Sequence, residues 1–294
     1  MVHGFPEGWY SWRHQIGAVA QAGYTVCAID VRGYGGSDKP YPVEAYAMEH
    51  MVADCVAVAK EMSPDAPATL LGHDWGAAIV WFAALSNPDI FRAVASLSVP
   101  FLGVPKRPYP EIFREQFTAK GRFFYQDYFQ AEGVAEAEAE ADPRDFLLKT
   151  LYSISGDAPS GLWMDKPAGA RFLDGLSAPE TLPIWLTAAD LDQYEAEFKE
   201  SGFRGPLNRY RNYERDFEWL RPYAGKKIEQ PCLFIGGTRD PVSSAFGMIE
   251  DPVSAVRKHA PLVEGHMLEG CGHWTQQERP AQVNALVLDW LKRL

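Results

Sequence analysis

The sequence predicts an α/β protein: a mostly parallel sheet flanked by helices and interrupted by a long helical insertion. Three observations predict it. Short apolar runs alternate with amphipathic stretches over residues 9–99 and again over 232–294. The alternation stops at Pro100, and residues 101–223 read as helical, aromatic and proline-punctuated, with no convincing strand. Finally, Ala68-Thr69-Leu70-Leu71 runs through Gly72-His73-Asp74-Trp75-Gly76 into an Ala-rich apolar stretch, residues 77–85. That is a strand entering a buried helix through a tight, glycine-flanked turn.

Taken in order, Met1-Val2 reads as the end of a strand, and the strands that would precede it are expected to be absent from this chain. Residues 9–21 form a helix with Trp12, Ile16 and Val19 on one face and Gly23 past its end. Residues 24–29 form a strand. The following Gly33-x-Gly35 fragment lacks a third glycine and a helix directly behind it, which excludes a dinucleotide loop. Residues 44–62 are an amphipathic helix with Met48, Val52, Cys55, Ala59 and Met62 on its inner face, and 94–99 form another strand. Within the insertion, Ala135-Glu136-Ala137-Glu138-Ala139-Glu140-Ala141 reads as an exposed helix. The alternation resumes with a strand at Cys232-Leu233-Phe234-Ile235, a helix over 252–259 and a strand at His266-Met267-Leu268. A final helix over 280–294 turns Val283, Leu286, Val287, Trp290, Leu291 and Leu294 inward. The expected organisation is a core of residues 1–100 and 224–294 with a helical cap of 101–223. Such a cap covers the carboxyl ends of the strands, where open parallel sheets bind ligands.

A chain of 294 residues with 47% hydrophobic content buries a large core. Its net charge of −11 argues against nucleic acid or an anionic membrane surface as a partner. The four cysteines, Cys27, Cys55, Cys232 and Cys271, form no Cys-x-x-Cys pair, as expected of reduced, buried thiols in a cytoplasmic protein. There is no glycosylation sequon, signal peptide or long apolar span. No pair among the seven histidines has metal-ligand spacing, so no metal is expected. The residues leave self-association into a homodimer open.

The glycine-flanked turn carries the chemistry. Its usual central residue is a serine, which must lose a proton as it attacks. Asp74 stands there instead, and an aspartate, with a reference pKa of about 3.9, is already an anion at neutral pH. A carboxylate can displace a leaving group at saturated carbon and form an ester to the protein. The bland alternative is that Asp74 caps the next helix. Two later residues favour the nucleophile. Asp240 follows the strand at 232–235, and His273 sits in Gly270-Cys271-Gly272-His273-Trp274 after the next strand, giving the order nucleophile, acid, histidine. Taken alone, Asp240 would be a turn residue before Pro241 and His273 an ordinary loop histidine.

The segments His3-Gly4-Phe5-Pro6, Arg32-Gly33-Tyr34-Gly35-Gly36-Ser37, Gly72-His73-Asp74-Trp75-Gly76, Tyr125-Gln126-Asp127-Tyr128-Phe129-Gln130, Asn208-Arg209-Tyr210-Arg211-Asn212 and Gly272-His273-Trp274 closely resemble soluble epoxide hydrolases of the α/β-hydrolase superfamily. The resemblance runs over essentially the whole chain. It implies that Tyr125 and Tyr210, on the cap, hydrogen-bond the epoxide oxygen while Asp74 opens the ring. Phenols suit that task because they keep their proton at neutral pH. It further implies that His273, oriented by Asp240, activates water to cleave the ester, with the N–H groups of Phe5 and Trp75 holding the oxyanion, and that no cofactor is needed. Tyr128 shares much of the Tyr125 helix face and stands in if Tyr125 points away. Most of the thirteen tyrosines are expected to be packing residues. Phe101, Leu151 and Trp163, with Phe5 and Trp75, are expected to wall a site for a small hydrophobic epoxide. The rival readings are a haloalkane or fluoroacetate-type dehalogenase, which shares the Asp-centred turn, and a non-catalytic small-molecule binder of the same fold.

Overall fold

A computed structural model describes residues 1–294. The first part runs through α1 (Arg13–Gln21), α2 (Met48–Met62), β1 (Ala68–His73), α3 (Trp75–Ser86) and β2 (Phe91–Leu97). Seven helices follow with no strand among them: α4 (Tyr109–Gln116), α5 (Tyr125–Tyr128), α6 (Val134–Ala141), α7 (Pro143–Ser153), α8 (Ala188–Ser201), α9 (Arg204–Asn208) and α10 (Tyr213–Leu220). The chain closes with β3 (Cys232–Gly237), α11 (Pro252–Arg257), β4 (Val263–Leu268), α12 (Thr275–Glu278) and α13 (Pro280–Leu291).

The four strands form one sheet in the order β1-β2-β3-β4, and every neighbouring pair is parallel. Alternation along the strands explains the layers, because successive side chains face opposite sides of a sheet. Leu71, Ala93, Ala95, Leu97, Leu233 and Ile235 pack into one apolar cluster with Val19 of α1 and Val283 and Val287 of α13. Leu70, Val94, Cys232 and Phe234 face the other way, into a larger cluster with α2, α3 and the helical segment. A sheet covered on both faces carries near-continuous apolar strands, and β3 is buried from end to end. No helix is long and apolar enough to cross a membrane.

Four expectations need correction. Residues 24–29 form no strand; Ile29 makes a single parallel bridge to Val2, which also bridges Gly72 of β1. Met1-Val2 makes two backbone hydrogen bonds on each side, Ile29 N–H to the Met1 carbonyl at 3.2 Å and the Met1 amino group to the Cys27 carbonyl at 2.6 Å on one, Val2 N–H to the Leu71 carbonyl at 2.8 Å and His73 N–H to the Val2 carbonyl at 3.0 Å on the other. Met62, at the frayed end of α2, is exposed, and Leu294 lies beyond α13, also exposed. The last correction concerns α6, whose Ala135, Glu136, Glu138 and Ala139 are buried. Two of its three acids, Glu136 and Glu138, are inside because each is fully partnered, while Glu140 is exposed as expected. Glu136 receives the Arg211 guanidinium at 2.6 and 3.0 Å. Glu138 receives the Tyr128 hydroxyl at 2.6 Å and the backbone N–H groups of Phe172 and Leu173 at 3.2 and 3.1 Å.

Candidate active site

β1 delivers the chain to Asp74, which adopts φ 54° and ψ −121° before α3 begins. This conformation costs a non-glycine residue about 1–3 kcal/mol and persists only where the surroundings fix it. Here the fixing is steric. A Cβ on Gly76 would lie 2.0 Å from the Val2 carbonyl oxygen, and one on Gly72 would lie 2.3 Å from the Gly76 carbonyl oxygen. The two glycines therefore let strand, turn and helix close on one another. The Asp74 side chain makes no capping bond to α3, so its carboxylate is held for something other than capping.

Two groups hold that carboxylate. The Phe5 N–H donates to Oδ1 at 2.8 Å, and the His273 Nε2 lies 3.2 Å from Oδ2. The segment bearing Phe5 can come this close because Gly4 has no side chain; a Cβ there would sit 2.2 Å from Asp74 Oδ1. Trp75 opens α3, so its N–H has no acceptor within the helix, and the same Gly4 Cβ would lie 2.6 Å from its nitrogen.

His273 lies in the loop between β4 and α12, and its N–H donates to the Ile154 carbonyl at 2.9 Å. Its Nδ1 faces both oxygens of Asp240 at 3.2 and 3.1 Å. Asp240 is fixed in turn by the Val242 N–H and the Ser243 hydroxyl, each donating at 2.8 Å. This leaves Nε2 as the nitrogen aimed at Asp74. The electrostatics follow. Burial pushes Asp74 up, but the hydrogen bond and charge of His273, the charge of His73 and the Phe5 N–H outweigh it and hold the carboxyl below its usual range. Burial pushes His273 down, yet Asp240 and then Asp74 override it and lift the imidazole to about 10.

A second buried network lies behind the turn, and sequence reasoning missed it. His73 bridges Glu7, Nδ1 to Oε2 at 2.7 Å, and the His273 carbonyl, Nε2 to O at 2.8 Å. Glu7 also accepts from the side-chain amides of Gln276 and Gln277 at 3.1 and 2.8 Å. One signal could have found it: a carboxylate directly after His3-Gly4-Phe5-Pro6, beside residues already singled out.

Tyr125 and Tyr210 are both buried, with ring centroids 5.9 Å apart. Tyr210 stands edge-on to Trp75 at 5.1 Å and to Phe5 at 5.7 Å, the residues on either side of the Asp74 carboxylate. Its hydroxyl has no hydrogen bond within the chain. The Gln126 amide donates to the Tyr125 oxygen at 2.6 Å and its carbonyl accepts from the Tyr213 hydroxyl. The Tyr125 proton is thereby left free to donate elsewhere. Burial raises both phenols first, and the Asp74 charge raises them further, so both are neutral donors. Tyr128 points away, to Glu138.

A cavity of about 190 Å³ opens onto Asp74, Trp75 and Tyr125. Its walls come from both parts of the chain, with Ala78 and Phe82 on one side and Tyr109, Phe113 and Tyr213 on the other. Phe101, Leu151 and Trp163 are not among its walls. Phe101 stacks on Trp81 at 5.5 Å. Leu151 is fully buried in α7. Trp163 packs behind Tyr125 at 4.4 Å. Phe5 is likewise absent from the cavity wall, and it contributes its backbone N–H instead. Phe246, which no sequence pattern marked, and Gln126, quoted only as part of the Tyr125 motif, also line the cavity.

A family profile described as alpha/beta hydrolase fold matches residues 1–280. Epoxide hydrolase A of Mycobacterium tuberculosis is 42% identical over 302 residues, covering 100% of this chain and 90% of the relative. Epoxide hydrolase B of the same organism is 40% identical over 324 residues, covering 99% and 90%. Among solved structures, the epoxide hydrolase from an endophytic Streptomyces superposes with a TM-score of 0.92 at 45% identity, over 99% of this chain and 87% of that one. Epoxide Hydrolase A from Mycobacterium thermoresistibile also superposes with a TM-score of 0.92, at 43% identity over 99% and 89%. With the fold, the strained aspartate turn and these full-length likenesses together, the chain belongs to the epoxide hydrolase family of α/β-hydrolase-fold enzymes.

Proposed function

We propose that this protein hydrolyses a small hydrophobic epoxide to a vicinal diol through an ester on Asp74. One observation carries the reading: an ionised carboxylate in a strained turn, held between a backbone N–H and an imidazole, opens onto an apolar cavity lined by the neutral phenol of Tyr125, while the phenol of Tyr210 lies outside that lining, packed on Trp75 and Phe5. Residues 101–223 act as the cap and residues 1–100 with 224–294 as the core, so substrate is enclosed between the two.

In the first step an Asp74 oxygen attacks one ring carbon. The bond from that carbon to the epoxide oxygen breaks, and the oxygen takes its proton from the Tyr125–Tyr210 pair. In the second step the protonated His273 first returns its proton to the tyrosine pair; the neutral imidazole then removes a proton from water, and the hydroxide adds to the ester carbonyl. The N–H groups of Phe5 and Trp75 stabilise the oxyanion, a contribution worth about 10²–10³ in rate per donor. The acyl–oxygen bond then breaks, the departing alkoxide takes the proton of the new carboxyl group, and the diol leaves with the Asp74 carboxylate and the His273 imidazolium restored. Every group in this scheme belongs to the chain.

Diol formation from styrene oxide tests the reading, with Asp74→Ala as the control. Turnover by the wild-type protein that disappears in Asp74→Ala is the expected result. Turnover that survives the substitution contradicts it. Halide release from a haloalkane with no diol from any epoxide would favour the dehalogenase reading instead.

A further inference from the structure

We infer that Glu278 is a positioning residue for His273, which it serves by tying the histidine loop to the end of α7. The inference rests on the ester route above. Glu278 ends α12, is 6% exposed and makes no hydrogen bond to Asp74 or to the His273 ring. Its Oε2 accepts the Gly272 N–H at 2.8 Å and the Gly156 N–H at 2.9 Å, and its Oε1 accepts the Trp274 N–H at 3.1 Å. Gly272 and Trp274 flank His273, and Gly156 lies just past α7. One carboxylate thus grips both sides of the histidine and fastens them to the helical segment.

The same junction is crossed twice more. The His273 N–H donates to the Ile154 carbonyl at 2.9 Å, and the Trp274 indole N–H donates to the Leu151 carbonyl at 2.6 Å. The backbones meet without room for a side chain. A Cβ on Gly272 would lie 2.2 Å from the Gly156 nitrogen, and one on Gly156 would lie 2.2 Å from the Gly270 carbonyl oxygen. A carboxylate suits three converging N–H donors because it only accepts. A glutamine of the same shape turns its NH₂ toward at least one of them, setting donor against donor.

The two chemical steps need this loop unequally. Attack by Asp74 requires no base, whereas ester hydrolysis requires His273 Nε2 at the right place beside the water. A displacement of about 1 Å in such a group can cost about 100-fold in rate. Loosening the tie therefore slows the second step and spares the first.

The test is Glu278→Gln in the full chain with styrene oxide, read by single-turnover kinetics, steady-state kinetics and intact mass. The expected result is ester hydrolysis slowed about tenfold. kcat and KM should fall together, leaving kcat/KM within about twofold, while the Asp74 ester accumulates. If alkylation and hydrolysis slow equally, or if hydrolysis keeps its wild-type rate, the positioning role is overturned. Should Glu278→Gln fail to fold, Trp274→Phe, which removes the indole tie to Leu151, must show the same split in weaker form, and an even loss overturns the role. A wild-type chain that forms no ester contradicts the route itself, a failure visible without any substitution.

Discussion

The His273 Nε2 stands 3.2 Å from Asp74 Oδ2, so the nitrogen that holds the resting carboxylate is also the one nearest an ester formed on it. On the proposed ester route the base therefore needs no relocation between the two steps. In the resting site the imidazole lies between two carboxylates, which keep it protonated. Alkylation cancels the charge of Asp74 and leaves only Asp240, so the ring is freer to act as a base once there is an ester to cleave.

From this relationship, His273→Gln should still accept substrate but not release it. We expect alkylation near the wild-type rate and hydrolysis slowed by about 10²–10⁴, the range a general base supplies. Intact mass after mixing with epoxide should show one substrate bound per chain. A variant that turns over normally would remove His273 from the scheme.

Tyr125→Phe and Tyr210→Phe each delete one donor to the opening ring. Each should slow alkylation by about 10²–10³ while leaving hydrolysis of a preformed ester unchanged, and the double variant should be slower than either. Because Gln126 already donates to the Tyr125 oxygen, Gln126→Leu should produce a smaller loss in the same step. Rapid-mixing measurements of ester formation check all four.

The His273 ion pairs also set a pH dependence of stability. The folded protein raises the imidazole from 6.5 to about 10. That stabilisation is fully present below about pH 6.5 and is lost as the pH rises toward 10. Asp74, held low, acts in the opposite sense: its contribution is present above its unfolded pKa and is lost as the pH falls through the folded one. Melting temperatures measured at pH 7 and about 9.5 should fall more for wild type than for His273→Gln. Equal falls would show that the imidazole carries no such coupling.

Gly4→Ala should be among the most damaging substitutions away from the reacting atoms. Its Cβ would meet Asp74 Oδ1 at 2.2 Å and the Trp75 nitrogen at 2.6 Å, so the Phe5 N–H must retreat from the carboxylate. We expect kcat/KM to drop by about 100-fold with the fold retained. Steady-state kinetics alongside circular dichroism check both halves.

What the sequence made legible follows from what is local in it. Asp74, Asp240 and His273 each sit in a loop directly after an apolar strand, and a parallel sheet brings such loops to one edge. Tyr125 and Tyr210 have no such marker, because the helical segment buries most of its rings; only the likeness of whole motifs singled them out. The cavity walls were opaque for a related reason. Phe101 and Leu151 are as apolar and as buried as Phe82 or Phe113, and periodicity reports burial without saying which buried side a residue faces. The Ala-Glu repeat of α6 looked exposed because its partners, Arg211 and the 172–173 backbone, lie far away in the chain. The roles of Glu7, His73 and Glu278 escaped for the same reason, since each is explained by a contact rather than by a pattern.

The central claim is the Asp74 ester, and single-turnover reaction of an epoxide in H₂¹⁸O, with enzyme in excess, tests it most directly. Water that cleaves the ester at its carbonyl leaves its oxygen in the carboxylate, so the account predicts label in Asp74 and an unlabelled diol from the first turnover. Label in that first diol would mean that water opens the epoxide itself and that Asp74 is not the nucleophile.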